Sequence, residues 1–363
     1  MALSIALECR GDPAKKTTTK VFQIMTLYNV AIAGATGAVG TDFIKLLEER
    51  NFPLKELRLL ASERSAGKKI EFKGKELTVE VLTEDSFKGI DIAFFSAGGS
   101  RSKEFAAAAV NAGAIVIDNS SAFRMDPEVP LVVPEINPGD ISASKGIVAN
   151  PNCSTIIMLM AVEPLRQLAP VRRIVTSTYQ AASGAGAQAM EELLEQTRTV
   201  VNGGTAAPSI FPHPIAFNLF SHNTKIDSTG YNEEERKMIN ESRKILHDPS
   251  LRISATCVRV PVLRAHSISI NVEFEAGQRP DLDAMRAALA AFPGVTIQDD
   301  AENNHFPMPL EASGKDDVLV GRLRYDLSND DAVDLFVCGD QILKGAALNG
   351  MQIAEEWVRI QQA

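Results

Sequence analysis

Long apolar runs are missing from this sequence. A helix that crosses a bilayer needs about 18 to 20 consecutive apolar residues, and the alanine stretch at residues 106–109 is far shorter, so membrane insertion is not expected. A dense Lys/Arg tract is missing too: 37 basic against 46 acidic residues give a net charge of −9 with neutral histidines. Without a row of cations to neutralise phosphates, nucleic acid is not an expected partner. Cysteine is sparse. Cys9, Cys153, Cys257 and Cys338 are scattered with no CxxC pair, which argues against a disulfide framework and a zinc site, and no other metal is expected. This usage fits a reducing cytoplasm, and each thiol has to be judged singly. Internal repeats and low-complexity arrays are not visible.

What is present is the composition of an ordinary folded protein, 363 residues with 45% apolar and 23% charged side chains. At about 100 to 200 residues per domain, this length gives two domains or three. Residues 1–24 stand apart: they carry Lys15, Lys16, Lys20 and a threonine run, with neither a sustained apolar core nor a small-residue cleavage site. They read as an extension outside the fold, or as a start assigned too far upstream. A transit peptide fits less well, because the segment has one Arg and two acidic residues.

From Met25 onward, short apolar runs alternate with segments of helical period. Residues 30–33 form a buried-strand run, 34–40 a glycine turn, and Val39, Phe43, Leu46 and Leu47 then recur at the spacing of an amphipathic helix. Further strands are expected at 57–61, 90–96, 114–118 and 147–149, with a helix at 103–111, so a parallel sheet covered on both faces is expected. After an apolar helix at 154–168 the texture changes. Longer strands appear at 173–178, 254–262 and 267–274, with an irregular Pro/Gly-rich stretch at 202–214. This part reads as a second, mixed domain on a larger sheet. The chain closes with a helix at 341–360 whose inner face carries Ile342, Ala346, Leu348, Ile353 and Trp357.

Two constellations carry chemistry. Gly34, Thr36, Gly37, Ala38, Val39 and Gly40 lie between a strand and a helix, where glycines let backbone N–H groups and the helix N-terminus meet a pyrophosphate. Thr36 stands where GxGxxG has its second glycine, so a turn without a ligand remains open. Downstream, Glu63 suits the ribose hydroxyls of NAD, whereas Arg64 with Ser65 suits the 2′-phosphate of NADP, which is the reading favoured here. The second constellation is Cys153, at a strand end just before a helix. There the macrodipole is expected to draw its pKa from about 8.5 towards neutrality and so prepare a nucleophile. Cys257 and Cys338 sit in apolar runs and read as packing thiols. His266, one of five histidines, is a candidate base or a structural residue.

The motifs GATGAVG, LLASERSAGKK, VIDNSSAFR, VPEIN, NPNCSTI, YQAASGAG, GYNEEERKM, TCVRVPVLRAHS and GDQILKGAALN, in this order from Met25 to the C-terminus, resemble the bacterial aspartate-β-semialdehyde dehydrogenase family. The resemblance implies an α/β fold with a Rossmann-type NADP-binding domain at 25–152. It implies a second α+β catalytic and dimerisation domain on a larger mixed sheet at 153–340, and a helix at 341–363 returning to the first domain. It makes Cys153 the nucleophile, His266 the acid/base and Gln180 the residue that orients the substrate. Arg259 would hold the substrate carboxylate, Glu234 its amino group, and Arg124, Lys237 and Asn152 inorganic phosphate. Ser183, Gly184 and Gln341 would complete the nicotinamide side. Arg259 and His266 are seven residues apart, which on one unbroken strand puts them on opposite faces; Pro261 is expected to break the run.

The implied reaction is reversible, phosphorylating oxidation of L-aspartate 4-semialdehyde by NADP to 4-phospho-L-aspartate. Its biosynthetic direction is reduction of the acyl phosphate towards lysine, methionine and threonine. A cytoplasmic homodimer or dimer of dimers is expected. The nearest rival is an N-acetyl-γ-glutamyl-phosphate reductase, whose blocked amine would leave Glu234 without a partner. A non-catalytic NADP-binding relative would not need Cys153, Gln180, Arg259 and His266 together, and a thiol hydrolase would not need the glycine turn.

Overall fold

The computed structural model describes residues 26–362; Cys9 and the segment 1–24 lie outside them. In chain order the first half contributes β1 (Tyr28–Ala33), α1 (Ala38–Glu49), β2 (Leu54–Ala61), a small hairpin of β3 (Lys69–Phe72) and β4 (Lys75–Thr78), β5 (Glu80–Val81), β6 (Ile92–Phe95), α2 (Gly99–Asn111), β7 (Ile115–Asp118) and β8 (Ile147–Ala149). Six of these strands lie side by side in the order β5-β2-β1-β6-β7-β8, all parallel. Parallel strands need crossovers that cover the sheet, which is why β6 and β7 are buried along their whole length and read as continuous apolar runs. The apolar stripe of α1 does this covering: Phe43 stacks on Phe94 with ring centroids 4.4 Å apart, and Ile44, Leu46 and Leu47 are buried beside it. This is a Rossmann-type sheet, and its strand order reverses at β1. The crevice outside the carboxyl ends of β1 and β6 is therefore where such a sheet binds its ligand.

The second half contributes α3 (Cys153–Arg166), β9 (Val171–Gln180), α4 (Ala187–Val201), β10 (Phe220–Ser221), α5 (Glu233–Ile245), β11 (Arg252–Arg259), β12 (His266–Phe274), α6 (Leu282–Ala291), β13 (Val295–Ile297), α7 (Pro309–Ala312), β14 (Val318–Tyr325), β15 (Ala332–Gly339) and α8 (Leu348–Gln361). Its seven-stranded mixed sheet runs β10-β11-β9-β12-β15-β14-β13. Every residue of α3 from Ser154 to Leu165 is buried, as expected for a helix apolar on all sides. It packs on β12, β14 and β15 and against α5 and α6.

The expected single helix at 341–360 is two pieces. Leu343–Ala347 is a π-helical turn that runs into α8. The amino group of Lys344, which is wholly buried, reaches Glu135, Asn349 and Gln352 at 2.5, 2.9 and 2.7 Å. The Gly345 and Ala347 N–H groups bond the Asp340 and Ile342 carbonyls, an i→i+5 register that sequence periodicity does not encode, and the Glu135 bond ties this turn to a distant segment. Leu343, Leu348, Ile353 and Val358 close the core of the first sheet together with Val30, Ile32 and Phe43.

Candidate active site

Cys153 is the first residue of α3, and the helix N-terminus is built by its neighbour. The Asn152 side-chain oxygen accepts the backbone N–H groups of Ser154 and Thr155 at 3.0 and 3.2 Å, a cap at both of the positions an N-cap reaches. Cys153 is half-buried on the floor of a cavity of about 390 Å³. The macrodipole argument predicts a lowered thiol pKa; the surroundings reverse it. Burial and the neighbouring Glu234 carboxylate push the Cys153 thiol up to about 11, against the pull of Arg124 and Arg259. Cys257 and Cys338 are fully buried, as expected of packing thiols, and desolvation raises both, Cys338 to about 12.

Gln180, Arg259 and His266 meet at the rim of the second sheet. β11 and β12 flank β9 on opposite sides, Arg259 pairing with Gln180 and Ser267 with Tyr179. Pro261 lies in the connection between them, which carries the chain across the end of β9, so the odd spacing of Arg259 and His266 is resolved by two strands instead of one. Their ends are so close that a Cβ on Gly184 would lie 3.1 Å from His266 Cε1 and 3.2 Å from Arg259 Nη1. Gln180 donates from Nε2 to Ser154 Oγ at 2.9 Å and to Glu234 Oε1 at 3.0 Å, while its buried Oε1 has no partner among the described residues.

The sequence reading casts His266 as both acid and base. The Ala181 backbone N–H donates to its Nδ1 at 3.0 Å, so the hydrogen of the neutral ring sits on Nε2, which is buried without a partner among the described residues. Burial and Arg259 push the ring down to about 3 and keep it neutral. In this state His266 offers an N–H to an oxygen in the cavity and has no Nε2 lone pair with which to take a proton.

The charged wall comes from α5. Glu234, Lys237 and Glu241 recur at i, i+3 and i+7, one face of the helix. Burial works to raise the Glu234 carboxyl, but Lys237, His222 and hydrogen bonds from Asn152 and Gln180 outweigh it and hold it at about 2. Its pair with Lys237 spans 3.2 Å at the cavity wall. Glu241 was not singled out by sequence, although its place on this face was the available signal. It is buried, accepts Arg124 Nη1 at 3.1 Å on Oε1 and accepts the Asn152 backbone N–H at 2.6 Å on Oε2. His222 was also missed: it lines the cavity and accepts from Arg259 Nη2 at 2.8 Å.

A second cavity opens over the carboxyl end of β1, lined by Gly34, Thr36, Gly37, Glu63, Arg64 and Ser65. Gly34 has φ +94° and a Cβ there would lie 2.5 Å from the Ser96 carbonyl oxygen, while one on Gly40 would lie 2.2 Å from the Gly34 oxygen. Only glycine permits this approach of backbone to backbone. Gly37 caps α1 without a side chain, and the first turn, which opens with Ala38 and Val39, holds no acidic residue. The bare N–H groups fit a pyrophosphate. Thr36 Oγ1 lies 3.4 Å from Ser65 Oγ. Val39 lines the Cys153 cavity together with Ser183, Gly184 and Gln341. Gln341 donates to Ser183 Oγ and accepts the Ala265 N–H at 2.8 Å. A Cβ on Gly345 would lie 2.8 Å from Cys153 Cβ, so the π-helical turn is pressed directly onto the thiol residue.

Residues 29–144 match the family model described as semialdehyde dehydrogenase, NAD binding domain, and residues 162–344 the one described as semialdehyde dehydrogenase, dimerisation domain. An aspartate-semialdehyde dehydrogenase of Synechocystis sp. is 56% identical over 326 residues, 90% of this chain and 96% of the relative. One from Aquifex aeolicus is 53% identical over 336 residues, 92% and 98% of the two chains. The solved structure of aspartate semialdehyde dehydrogenase II complexed with ASA from Vibrio cholerae matches with a TM-score of 0.87 and 44% identity, covering 92% of this chain and 99% of that one. A nucleotide cradle and a helix-start cysteine on two successive sheets thus coincide with close relatives along nearly the whole described chain, and the protein belongs to the aspartate-semialdehyde dehydrogenase family.

Proposed function

We propose that the chain catalyses reversible, phosphorylating oxidation of L-aspartate 4-semialdehyde to 4-phospho-L-aspartate with NADP, through a thioester on Cys153. The observation that carries this reading is the convergence of Cys153, Gln180, His266, Arg259, Glu234, Lys237 and Arg124 on one cavity. Arg259 suits the substrate carboxylate: with Ala181 O and His222 taking one N–H each, three of its five donors remain, and its buried Nε has no other partner. Glu234, ionised throughout the physiological range, suits the ammonium. Arg124 and Lys237, with Asn152 on the same cavity wall, suit phosphate.

Cys153 gives its thiol proton to water in the cavity, its sulfur bonds to the aldehyde carbon, and the carbonyl π pair moves onto the oxygen beside the Nε2–H of His266. Loss of hydride from that carbon leaves the thioester. A phosphate oxygen then attacks the thioester carbon, the C–S bond breaks, and acyl phosphate and thiolate separate. His266 donates its Nε2–H to the oxyanion in both addition steps; the thiol proton leaves to water, and the released thiolate recovers a proton from the hydrogen of the attacking phosphate. When bound, NADP supplies the acceptor for the hydride, or the donor in the biosynthetic direction. Gly34, Thr36, Gly37, Ala38 and Val39 would hold its pyrophosphate, Arg64 and Ser65 its 2′-phosphate, and Ser183, Gly184 and Gln341 the nicotinamide end. The substrate ammonium neutralises Glu234 and so removes a charge that opposes the thiolate.

The division at residues 152 and 153 is likewise our reading, with Cys153 opening the second domain on the seam. That domain suits a homodimer through the sheet face opposite α3 and α6, where Ser177, Tyr179, Asn271 and Phe336 remain partly exposed. The test is phosphate-dependent NADPH formation with aspartate semialdehyde against N-acetylglutamate semialdehyde. Preference for the first is expected; preference for the N-acetylated aldehyde assigns the rival reductase activity.

A further inference from the structure

We propose that His222 is a positioning residue for the substrate carboxylate, acting by fixing the guanidinium of Arg259; this rests on the activity proposed above. The placement follows from the sheet. β10 is the edge strand beside β11, with Phe220 opposite Arg259 and Ser221 opposite Val258, and the His222 N–H continues the ladder to Cys257 O at 2.9 Å. His222 is therefore across from Cys257 and diagonal to Arg259 on the same face, a separation that long side chains bridge. Its Nε2 accepts from Arg259 Nη2 at 2.8 Å.

An Nε2 that accepts from a guanidinium carries no hydrogen, so the hydrogen of the ring is on Nδ1, which lies 3.3 Å from Thr224 Oγ1. The same hydroxyl oxygen accepts the Glu234 backbone N–H at 3.3 Å. One short chain of bonds thus runs from Arg259 through His222 and Thr224 to the backbone of Glu234, linking the groups proposed for the carboxylate and the ammonium of one substrate. Arg259 has two further supports, Ala181 O at 2.7 Å from Nη1 and the Phe211 ring at 5.5 Å from Cζ. Among the described residues, His222 alone bonds Nη2. Burial, with Arg259 and Lys237 adding to it against Glu234, pushes the ring down to about 4, so His222 remains a neutral acceptor at working pH instead of a competing cation.

The experiment compares the parent with His222→Ala and His222→Gln in the full-length enzyme, measuring kcat and all three KM values in the phosphorylating direction. His222→Ala is expected to raise KM for aspartate semialdehyde about 10- to 100-fold, the effect of losing one hydrogen bond to a charged group. The KM values for phosphate and NADP should stay within a factor of about two, since neither ligand meets Arg259. Gln presents an acceptor and a donor on one side chain and should restore most of the loss. An unchanged aldehyde KM in the Ala variant overturns the proposal. So does a uniform loss across all three KM values, or a Gln variant no better than Ala. If the parent instead prefers the N-acetylated aldehyde, it is the assigned activity that fails, and the same series on that substrate's carboxylate still decides the role of His222.

Discussion

Glu241 and Arg124 form a buried ion pair directly behind the nucleophile, and the second oxygen of the same carboxylate holds the backbone N–H of Asn152, the cap of the Cys153 helix. Thus one acid anchors both the proposed phosphate ligand and the turn that presents the thiol.

Glu241→Gln keeps an acceptor for Asn152 but leaves Arg124 buried without its counter-charge. Breaking such a pair costs about 3 kcal/mol of stability, readable by urea denaturation. Inorganic phosphate should recover more of this loss than it adds to the parent, because it supplies the missing negative charge. Equal stabilisation of both proteins by phosphate would show that Arg124 does not face the anion site.

Cys153→Ala should abolish NADPH formation while NADP still binds in a fluorescence titration, since the cradle at Gly34 and Gly37 does not use the thiol. Cys257→Ser and Cys338→Ser should retain turnover wherever they fold. Inactivation of a folded Cys257→Ser protein would contradict its role as a packing residue.

The pH dependence of thiol alkylation tests the charge balance at the nucleophile. Glu234 acts with burial to hold Cys153 up at about 11. Replacing Glu234 by Gln removes a negative charge that opposes the thiolate, so the thiol pKa falls and iodoacetamide labelling rises at lower pH than in the parent. A profile that stays in place or moves to higher pH would mean that Glu234 does not act on the sulfur.

Much of this was legible in sequence. The strand, glycine turn and stripe of Phe43, Leu46 and Leu47 are local patterns, and they marked the first βαβ unit and its cradle. Cys153 was visible because its strand end and helix start are adjacent in the chain. What escaped were relationships across long separations. Glu241 reaches Asn152 and Arg124 from another helix, His222 reaches Arg259 from another strand, and burial, with the charge of Glu234 added to it, overrides the dipole effect that the local sequence suggests for the thiol. Lys344 in the π-helical turn meets Glu135 from far along the chain, a contact that no periodicity within the helix reports.

For cofactor choice, Arg64→Ala should raise KM for NADP far more than KM for NAD, because the lost contact is to a phosphate that only NADP carries. Equal changes would assign the discrimination to Glu63.

Lys237→Ala should raise KM for phosphate by about 10-fold or more while altering the aldehyde KM less, in keeping with the loss of one charge-assisted bond. Phosphate dependence that survives untouched in this variant would remove Lys237 from the anion site.

The wall around the thiol is assembled from widely separated parts of the sequence, Val39 before the cysteine and Gln341 with Gly345 long after it. A growing polypeptide on the ribosome therefore carries its cysteine long before it possesses the surface that completes the reaction chamber. A chain stopped at the end of β15 would carry its nucleophile but lack Gln341 and Gly345, which close the cavity beside it.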